Sequence, residues 1–277
     1  MLRELILTRF NLVILGKFMQ EPMWAEPRDI HSLDDCYFYH TMDIPTYGIV
    51  HGDWDLRGRE AIYFGDTNFQ GKRVLEIGTA SGHLCFSMEK LGAEVVAYDL
   101  SDQQQWDIVP YAKSDYKQRI IERKKHINQL NNSFWLAHKA YNSHAKVMYG
   151  TVYDIPDDIG QFDICTFGSI LLHLRDPFLA LQRAASHATE TVIVTDLSPK
   201  VRGRMLSMIE LITGTRLIRF LPNAQKLGPT ESWWSLSPKL VSEFLQILGF
   251  ANTRIFIHRQ KFRGREIRLY TVVGQKG

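Results

Sequence analysis

Cysteine is nearly absent: Cys36, Cys85 and Cys165 are the only three in 277 residues. Scattered thiols in odd number make neither a disulfide framework nor a C-x-x-C metal site. They point to a reducing, cytoplasmic setting in which each Cys is a small buried hydrophobe. An excess of one charge is also lacking. The 33 basic and 30 acidic side chains leave a formal net charge of +3, too small to imply a nucleic-acid partner by itself. No apolar run is long enough to span a bilayer. The opening MLRELILTRFNLVILGKF is broken by Arg9 and Asn11 and has no small-residue cleavage pattern after it, so a docked helix or strand is expected there. No repeat and no low-complexity linker divides the chain. What remains is 45% hydrophobic and 23% charged, ordinary for a soluble globular protein, with length for one domain or two.

The strongest signal lies between Val74 and Asp102. Val74, Leu75 and Ile77 make the apolar run of a buried strand, with Glu76 near its end. Gly78, Ala80 and Gly82 follow as three small residues that let a ligand approach the backbone closely. Leu84, Phe86, Met88 and Leu91 give the next segment a face to pack on a sheet, and Gly92 closes it. Glu94 to Leu100 reads as a second strand carrying Asp99. An acid about twenty residues after a Gly turn is placed to hold the hydroxyls of a ribose. The unit therefore reads as a nucleoside-binding βαβ. The dinucleotide fingerprint G-x-G-x-x-G would need glycines at Ala80 and His83, which argues against an NAD-dependent oxidoreductase.

Other stretches are less specific. Residues 20 to 70 are rich in Pro, Trp and His without a sustained period, and read as a structured cap. His31, Asp34, Asp35 and His40 have no spacing that fixes a coordination geometry, so no metal is expected. Residues 101 to 144 exceed a usual connection, and Ile120, Ile121, Ile127, Leu130, Phe134 and Trp135 predict one or two helices. Trp106 lies a few residues past the acid, either near a bound base or in the core. Lys113, Lys117, Arg119, Arg123, Lys124 and Lys125 make a solvated face or, alternatively, a phosphate-binding surface. Phe162 to Phe167 is a buried strand released by Gly168 and Ser169, and Asp176-Pro177 starts a helix as N-cap and first helical residue. Glu190 to Leu197 is a further strand. Residues 201 to 221 predict a helix with Met205, Met208, Ile209 and Ile212 on its apolar face. Ser237-Pro238 and Gly249 bound the last helix, and the final two strands pair as a hairpin across Arg263-Gly264.

The pattern E-x-G-x-A-x-G over Glu76 to Gly82, Asp99, and L-x-H-x-x-D-P ending at Pro177 resemble the motifs of class I S-adenosylmethionine-dependent methyltransferases. The resemblance covers roughly residues 69 to 275. It implies an α/β fold, a seven-stranded, mostly parallel, doubly wound sheet with a reversed last strand. An N-terminal cap over 1–68 would precede a cofactor domain over 69–277. It implies S-adenosylmethionine as cofactor and S-adenosylhomocysteine as product. By position, Glu76, Gly78, Thr79, Ala80, Gly82 and His83 match the cofactor turn, and Asp99 and Leu100 match the ribose end. Thr151, Val152, Tyr153 and Asp154 would stand at the adenine, where the family's usual acid or amide is replaced by Thr151. Gly168 and Ser169, at the strand end where ligands of such sheets bind, would be further cofactor contacts, and His173 would lie close to where the methyl group is delivered. His173, or His51 and His40 from the cap, would serve as base. Tyr47, Trp54, Trp233 and Trp234 would line a substrate pocket, with Asp53 and Arg57 as further cap candidates. The bland alternative is that these aromatics are core and the polar groups satisfy loop backbone.

Within the class, the chain looks most like the group containing the tRNA wobble-uridine (carboxy)methyltransferases, and nearly as much like small-molecule enzymes. Methylation of an oxygen or nitrogen of a small molecule is the favoured expectation, from the aromatic cap and paired Trp. An RNA substrate is the alternative, from residues 113–125 and from Arg254, Arg259, Lys261, Arg263, Arg265 and Arg268. A non-catalytic cofactor-binding partner is a third reading.

Overall fold

A computed structural model describes residues 24–199, 216 and 218–277. The N-terminal segment expected to dock as a helix or strand lies outside the described residues, as do Met205, Met208, Ile209 and Ile212. The end of the helix expected over 201–221 is instead a strand, Ile218–Phe220.

In chain order the strands are β1 (Met42–Ile44), β2 (Gly48–Val50), β3 (Trp54–Asp55), β4 (Arg73–Ile77), β5 (Glu94–Asp99), β6 (Lys146–Tyr149), β7 (Phe162–Gly168), β8 (Ala188–Leu197), β9 (Ile218–Phe220), β10 (Trp234–Leu236), β11 (Asn252–Phe262) and β12 (Arg265–Gln275). The helices are α1 (Glu60–Tyr63), α2 (His83–Lys90), α3 (Tyr116–Tyr141), α4 (Pro177–Ala185) and α5 (Pro238–Ile247). One sheet of eight strands has the order β3-β11-β12-β8-β7-β4-β5-β6. Strands β4 to β8 run parallel, and β12 enters antiparallel to β8. The sheet has one strand more than expected. Trp54–Asp55 pairs with Lys261–Phe262, so the cap extends the sheet at the β11 edge.

The parallel strands are nearly continuous in apolar residues because both faces are covered. One core packs α4, α5 and β12 residues such as Leu181, Leu245 and Tyr270 against Val192 and Val194. The other packs Phe38, Met42 and Phe64 of the cap with Phe86 of α2 and Phe134 of α3. Cys85 and Cys165 are fully buried, Cys36 is half-buried, and all three are free thiols.

Local chemistry sets the element ends. The 101–144 segment is a loop followed by a single helix, α3. Asp115 accepts from the Gln118 N–H at its start, and Asn142 closes it in the left-handed region at φ 51°. The Asp176 and Ser237 side chains accept from the Leu179 and Leu240 N–H groups at the starts of α4 and α5, each ahead of a proline. Each such cap stabilises its helix by about 1 kcal/mol. Arg263 and Gly264, at φ 48° and 75°, make the tight turn between β11 and β12.

Candidate active site

The site lies at the carboxyl edge of the parallel strands, where open α/β sheets bind ligands. The chain leaves β4 at Gly78, whose N–H donates to the Tyr98 carbonyl (2.8 Å). It turns through Ala80, held at φ 50°, and enters α2 at Gly82, φ 87°. Asp99, at the end of β5, anchors this turn. Its Oδ2 accepts from the Ala80 N–H (2.8 Å) and its Oδ1 from the Leu100 N–H (2.7 Å). Each carboxylate oxygen keeps a second lone pair for another donor. Burial raises the Asp99 pKa, and these two backbone donors oppose that.

Beside Asp99 opens a cavity of about 270 Å³. Its walls are mainly apolar, with Ile77, Val152, Ile170 and Leu174 among them. Gly78, Asp99, Leu100, Thr151 and Tyr153 line it too, as do Trp106 and His173. Asp154 is not in its wall, because the chain turns back on itself after β6: the Asp154 N–H donates to the Thr151 carbonyl (3.0 Å). Gly78 and Gly150 are needed for space. A Cβ at Gly78 would stand 2.2 Å from Ile170 Cδ1, and one at Gly150 would stand 2.0 Å from the Tyr98 hydroxyl.

Glu76 is 2% exposed, and neither carboxylate oxygen has a hydrogen-bond partner. Burial raises its pKa to about 8, and the Thr79 hydroxyl, close by but outside hydrogen-bond geometry, opposes that. Thr79 Oγ1 and His40 Nδ1, nearby in the turn and cap, are also buried without partners. His83 stands 3.3 Å from a Glu60 oxygen. His40 crosses this turn, its N–H donating to Ser81 Oγ (3.3 Å) and its ring 5.6 Å from that of His83. Burial pushes the His40 pKa well below the usual imidazole value, so the ring is neutral.

His173 ends a short 3₁₀ turn, Leu171–His173, and its Nδ1 lies against the Glu231 carbonyl. That acceptor requires the proton on Nδ1 and leaves Nε2 as the lone-pair nitrogen. Burial and then Arg123 lower its pKa to about 4. Gly168 and Ser169 lie at the end of β7 without lining this cavity; Ser169, at φ 56°, donates its N–H to the Thr195 carbonyl (2.7 Å).

Several cap candidates lie elsewhere. Tyr47 is exposed in the β1–β2 turn, and that hairpin packs on the C-terminal end of α3, where Tyr141 bonds the Asp43 carbonyl. His51 is exposed beyond the same hairpin, outside the cavity wall. Trp54 is 7% exposed and packs on Phe262 at 4.8 Å, as core of the added strand. Arg57 is tied to Asp55, and Asp53 accepts from Tyr37 (2.6 Å) and Arg263 (2.7 Å). Trp233 and Trp234 stand behind the wall. Their indole N–H groups donate to the Asp107 and Arg175 carbonyls at 2.7 Å and 3.1 Å.

Asp107 is the residue that sequence reading missed here. Its Oδ2 accepts from the Tyr153 hydroxyl (2.5 Å) and the Arg175 N–H (2.8 Å), while its carbonyl takes Trp233. Arg123 joins the same corner, ion-paired with Glu231 and 5.5 Å over the Trp106 ring. His126 packs between Tyr37 at 4.5 Å and Trp106 at 6.5 Å. Only the nearness of Asp107 to Trp106 in sequence could have flagged it.

Among the described residues no group of His, Cys, Asp or Glu is arranged to hold a metal ion, and no helix is long and apolar enough to cross a membrane. No curated protein sequence matches the chain. Three of the solved structures similar to it illustrate the range. Magnesium protoporphyrin IX methyltransferase from Synechocystis PCC 6803, with S-adenosylhomocysteine bound, is 18% identical over 78% of this chain and 80% of that one, TM-score 0.43. The 1,6-didemethyltoxoflavin-N1-methyltransferase of Burkholderia thailandensis is 11% identical over 80% and 77%, TM-score 0.47. A putative RNA methyltransferase from Pyrococcus horikoshii is 17% identical over 78% and 77%, TM-score 0.41. Similarities this distant say nothing of the substrate. A family model described as a methyltransferase domain matches residues 56–245. With that match over more than half of its length, and E-x-G-x-A-x-G at the turn after β4, the chain belongs to the class I S-adenosylmethionine-dependent methyltransferases.

Proposed function

We propose that the enzyme methylates an oxygen or nitrogen of a small molecule held between the cap, residues 24–68 among those described, and the carboxyl edge of the sheet. The cavity beside Asp99 suits the nucleoside of S-adenosylmethionine, and the orphaned Glu76 carboxylate suits an ammonium group. On this reading Asp99 holds the ribose hydroxyls. Thr151, Val152, Tyr153 and Leu100 wall the base, and Glu76 and Thr79 take the amino-acid end, with Gly78, Ala80, Gly82 and His83 framing it. Gly168 and Ser169 border the methyl-bearing end. The cofactor supplies a methyl group already activated on a positive sulfur. The protein's part is alignment and exclusion of water.

The observation that carries the small-molecule reading is the lacing of one corner. Tyr153, the Arg175 backbone and Trp233 converge on Asp107, and Arg123 closes on Glu231. A small molecule fits behind such a seam, whereas a nucleic-acid strand would have to unlace it. Arg123 is turned into that seam, which interrupts the basic surface of residues 113–125 on which an RNA reading would rest.

The test is methyl-labelled S-adenosylmethionine with a fractionated cell extract. Label is expected in the low-mass fraction and to survive ribonuclease. Label removed by ribonuclease would replace the small molecule with RNA as substrate. No label in any fraction would favour a non-catalytic binding protein.

A further inference from the structure

The end of β8 carries a buried acid that the reading above does not use. Asp196 is 2% exposed. Its Oδ1 accepts from the Leu197 N–H (2.6 Å), and the Leu172 N–H also stabilises the carboxylate. Its Oδ2 has no hydrogen-bond partner. The residue directly across the ladder, Tyr270, is fully buried and its hydroxyl is unpartnered too. The titratable groups facing Asp196 are Tyr270 of β12, Tyr63 of α1 and Tyr39 of the cap. Among the described residues no Lys, Arg or His pairs with it. A buried carboxyl with an open oxygen and no cation is a costly feature, and such groups concentrate where chemistry is done.

Its position is specific. The sheet order runs β8-β7-β4, so the end of β7 lies between Asp196 on one side and Glu76 on the other. Tyr63 lies beside the end of β7: its hydroxyl would be 3.2 Å from a Cβ at Gly168, and burial first, with the nearby acids adding to it, raises its pKa. If Glu76 marks the amino-acid end of the cofactor, Asp196 stands across β7 from it and on the opposite face of the sheet, since Glu76 shares a face with Thr166 and Ile193 and Asp196 with Val194 and Tyr270. The Leu172 N–H on its carboxylate ties it to the turn between Ile170 and His173, both in the cavity wall. This step rests on the cofactor placement proposed above.

We propose that Asp196 is the general base of the transfer and that the acceptor atom is a hydroxyl oxygen. The substrate oxygen forms its bond to the methyl carbon as the carbon–sulfur bond breaks, with that electron pair staying on sulfur. The hydroxyl proton passes to Asp196 Oδ2 and later to solvent. A neutral amine attacks with its own lone pair and needs no base in that step, whereas a hydroxyl does. Burial holds the Asp196 carboxyl at about 7, where ionised and protonated forms are both present near neutral pH. His173, with a pKa of about 4, is a weaker base and is left to shape the cavity wall.

The test compares the unmodified protein with Asp196→Asn, a near-isosteric change, by three readouts. Calorimetry with S-adenosylhomocysteine should give the same affinity for both. Infrared titration should show a carboxylic-acid band that disappears as pH rises through about 7. That band should be missing from Asp196→Asn and retained in Glu76→Gln. Label transfer to the low-mass fraction should fall by about 100-fold or more in Asp196→Asn. In the unmodified protein, transfer should rise with pH along the same titration. Unchanged transfer in Asp196→Asn with the wild-type pH profile would overturn the proposal. So would persistence, in that variant, of the band that titrates at about 7, as distinct from the Glu76 band at about 8. Should Asp196→Asn fail to fold, coincidence of the rate titration of unmodified protein with the infrared band retained in Glu76→Gln supports the proposal, and their separation overturns it. Absence of S-adenosylhomocysteine binding by the unmodified protein would instead overturn the cofactor placement, and the proposal with it.

Discussion

Gly78→Arg abolishes S-adenosylhomocysteine binding and, with it, methyl transfer. Gly78 sits in the left-handed region at φ 79°, and its Cα faces the Ile170 side chain at the cavity wall. Any side chain costs strain there, of order 1–3 kcal/mol. An arginine must also displace Ile170 or project into the space assigned to the cofactor. Calorimetry measures the binding, and circular dichroism with thermal melting shows that the fold survives. Gly78→Ala should weaken binding without removing it, because only the Ile170 contact and the backbone strain are added. Wild-type affinity in a folded Gly78→Arg protein would rule the cofactor placement out.

Glu76→Gln stabilises the free protein at alkaline pH while weakening its grip on the cofactor. In the folded chain burial holds Glu76 at about 8, against 4.5 for an ordinary glutamate. The unfolded chain therefore releases this proton first. The contribution of Glu76 to stability is complete below about 4.5, declines as pH rises, and is lost by about 8. A glutamine does not titrate, so the advantage of the variant should grow across that window and level off above it. Denaturant titrations at several pH values measure this. Binding should move the other way. An ammonium group beside Glu76 favours the ionised carboxylate, so the native protein should release protons on binding S-adenosylhomocysteine. Calorimetry in buffers of different ionisation enthalpy reads that release. Proton release persisting unchanged in Glu76→Gln would place the cofactor's amino-acid end elsewhere.

The βαβ unit was legible because its chemistry is local. Glu76, Gly78, Gly82 and Asp99 lie within one strand–helix–strand stretch, and the structure joins them through Ala80 to Asp99. The caps at Asp176 and Ser237 and the turn at Arg263-Gly264 were legible for the same reason, as each is set by neighbouring residues. The eighth strand was not. Trp54–Asp55 is too short for a period-2 signal, and its partner lies at the far end of the chain. The cap aromatics misled because Tyr47 and Trp54 have the composition of a pocket but sit on an outer hairpin and in the core. Asp107 and Asp196 were invisible for a further reason. Asp196 reads as the last polar residue of an apolar strand, and only the folded sheet shows that its outer oxygen has no partner. Asp107 acts through residues 46, 68 and 126 positions away, which no local pattern encodes.

We place S-adenosylmethionine in the cavity between the turn after β4, the end of β5 and the loop after β6. Hydrogen exchange of the full-length protein, with and without S-adenosylhomocysteine and with NADH as comparison, tests it most directly. Protection by S-adenosylhomocysteine alone, confined to residues 76–83, 98–101 and 150–154, is the predicted result. No protection there, or equal protection by NADH, would contradict it.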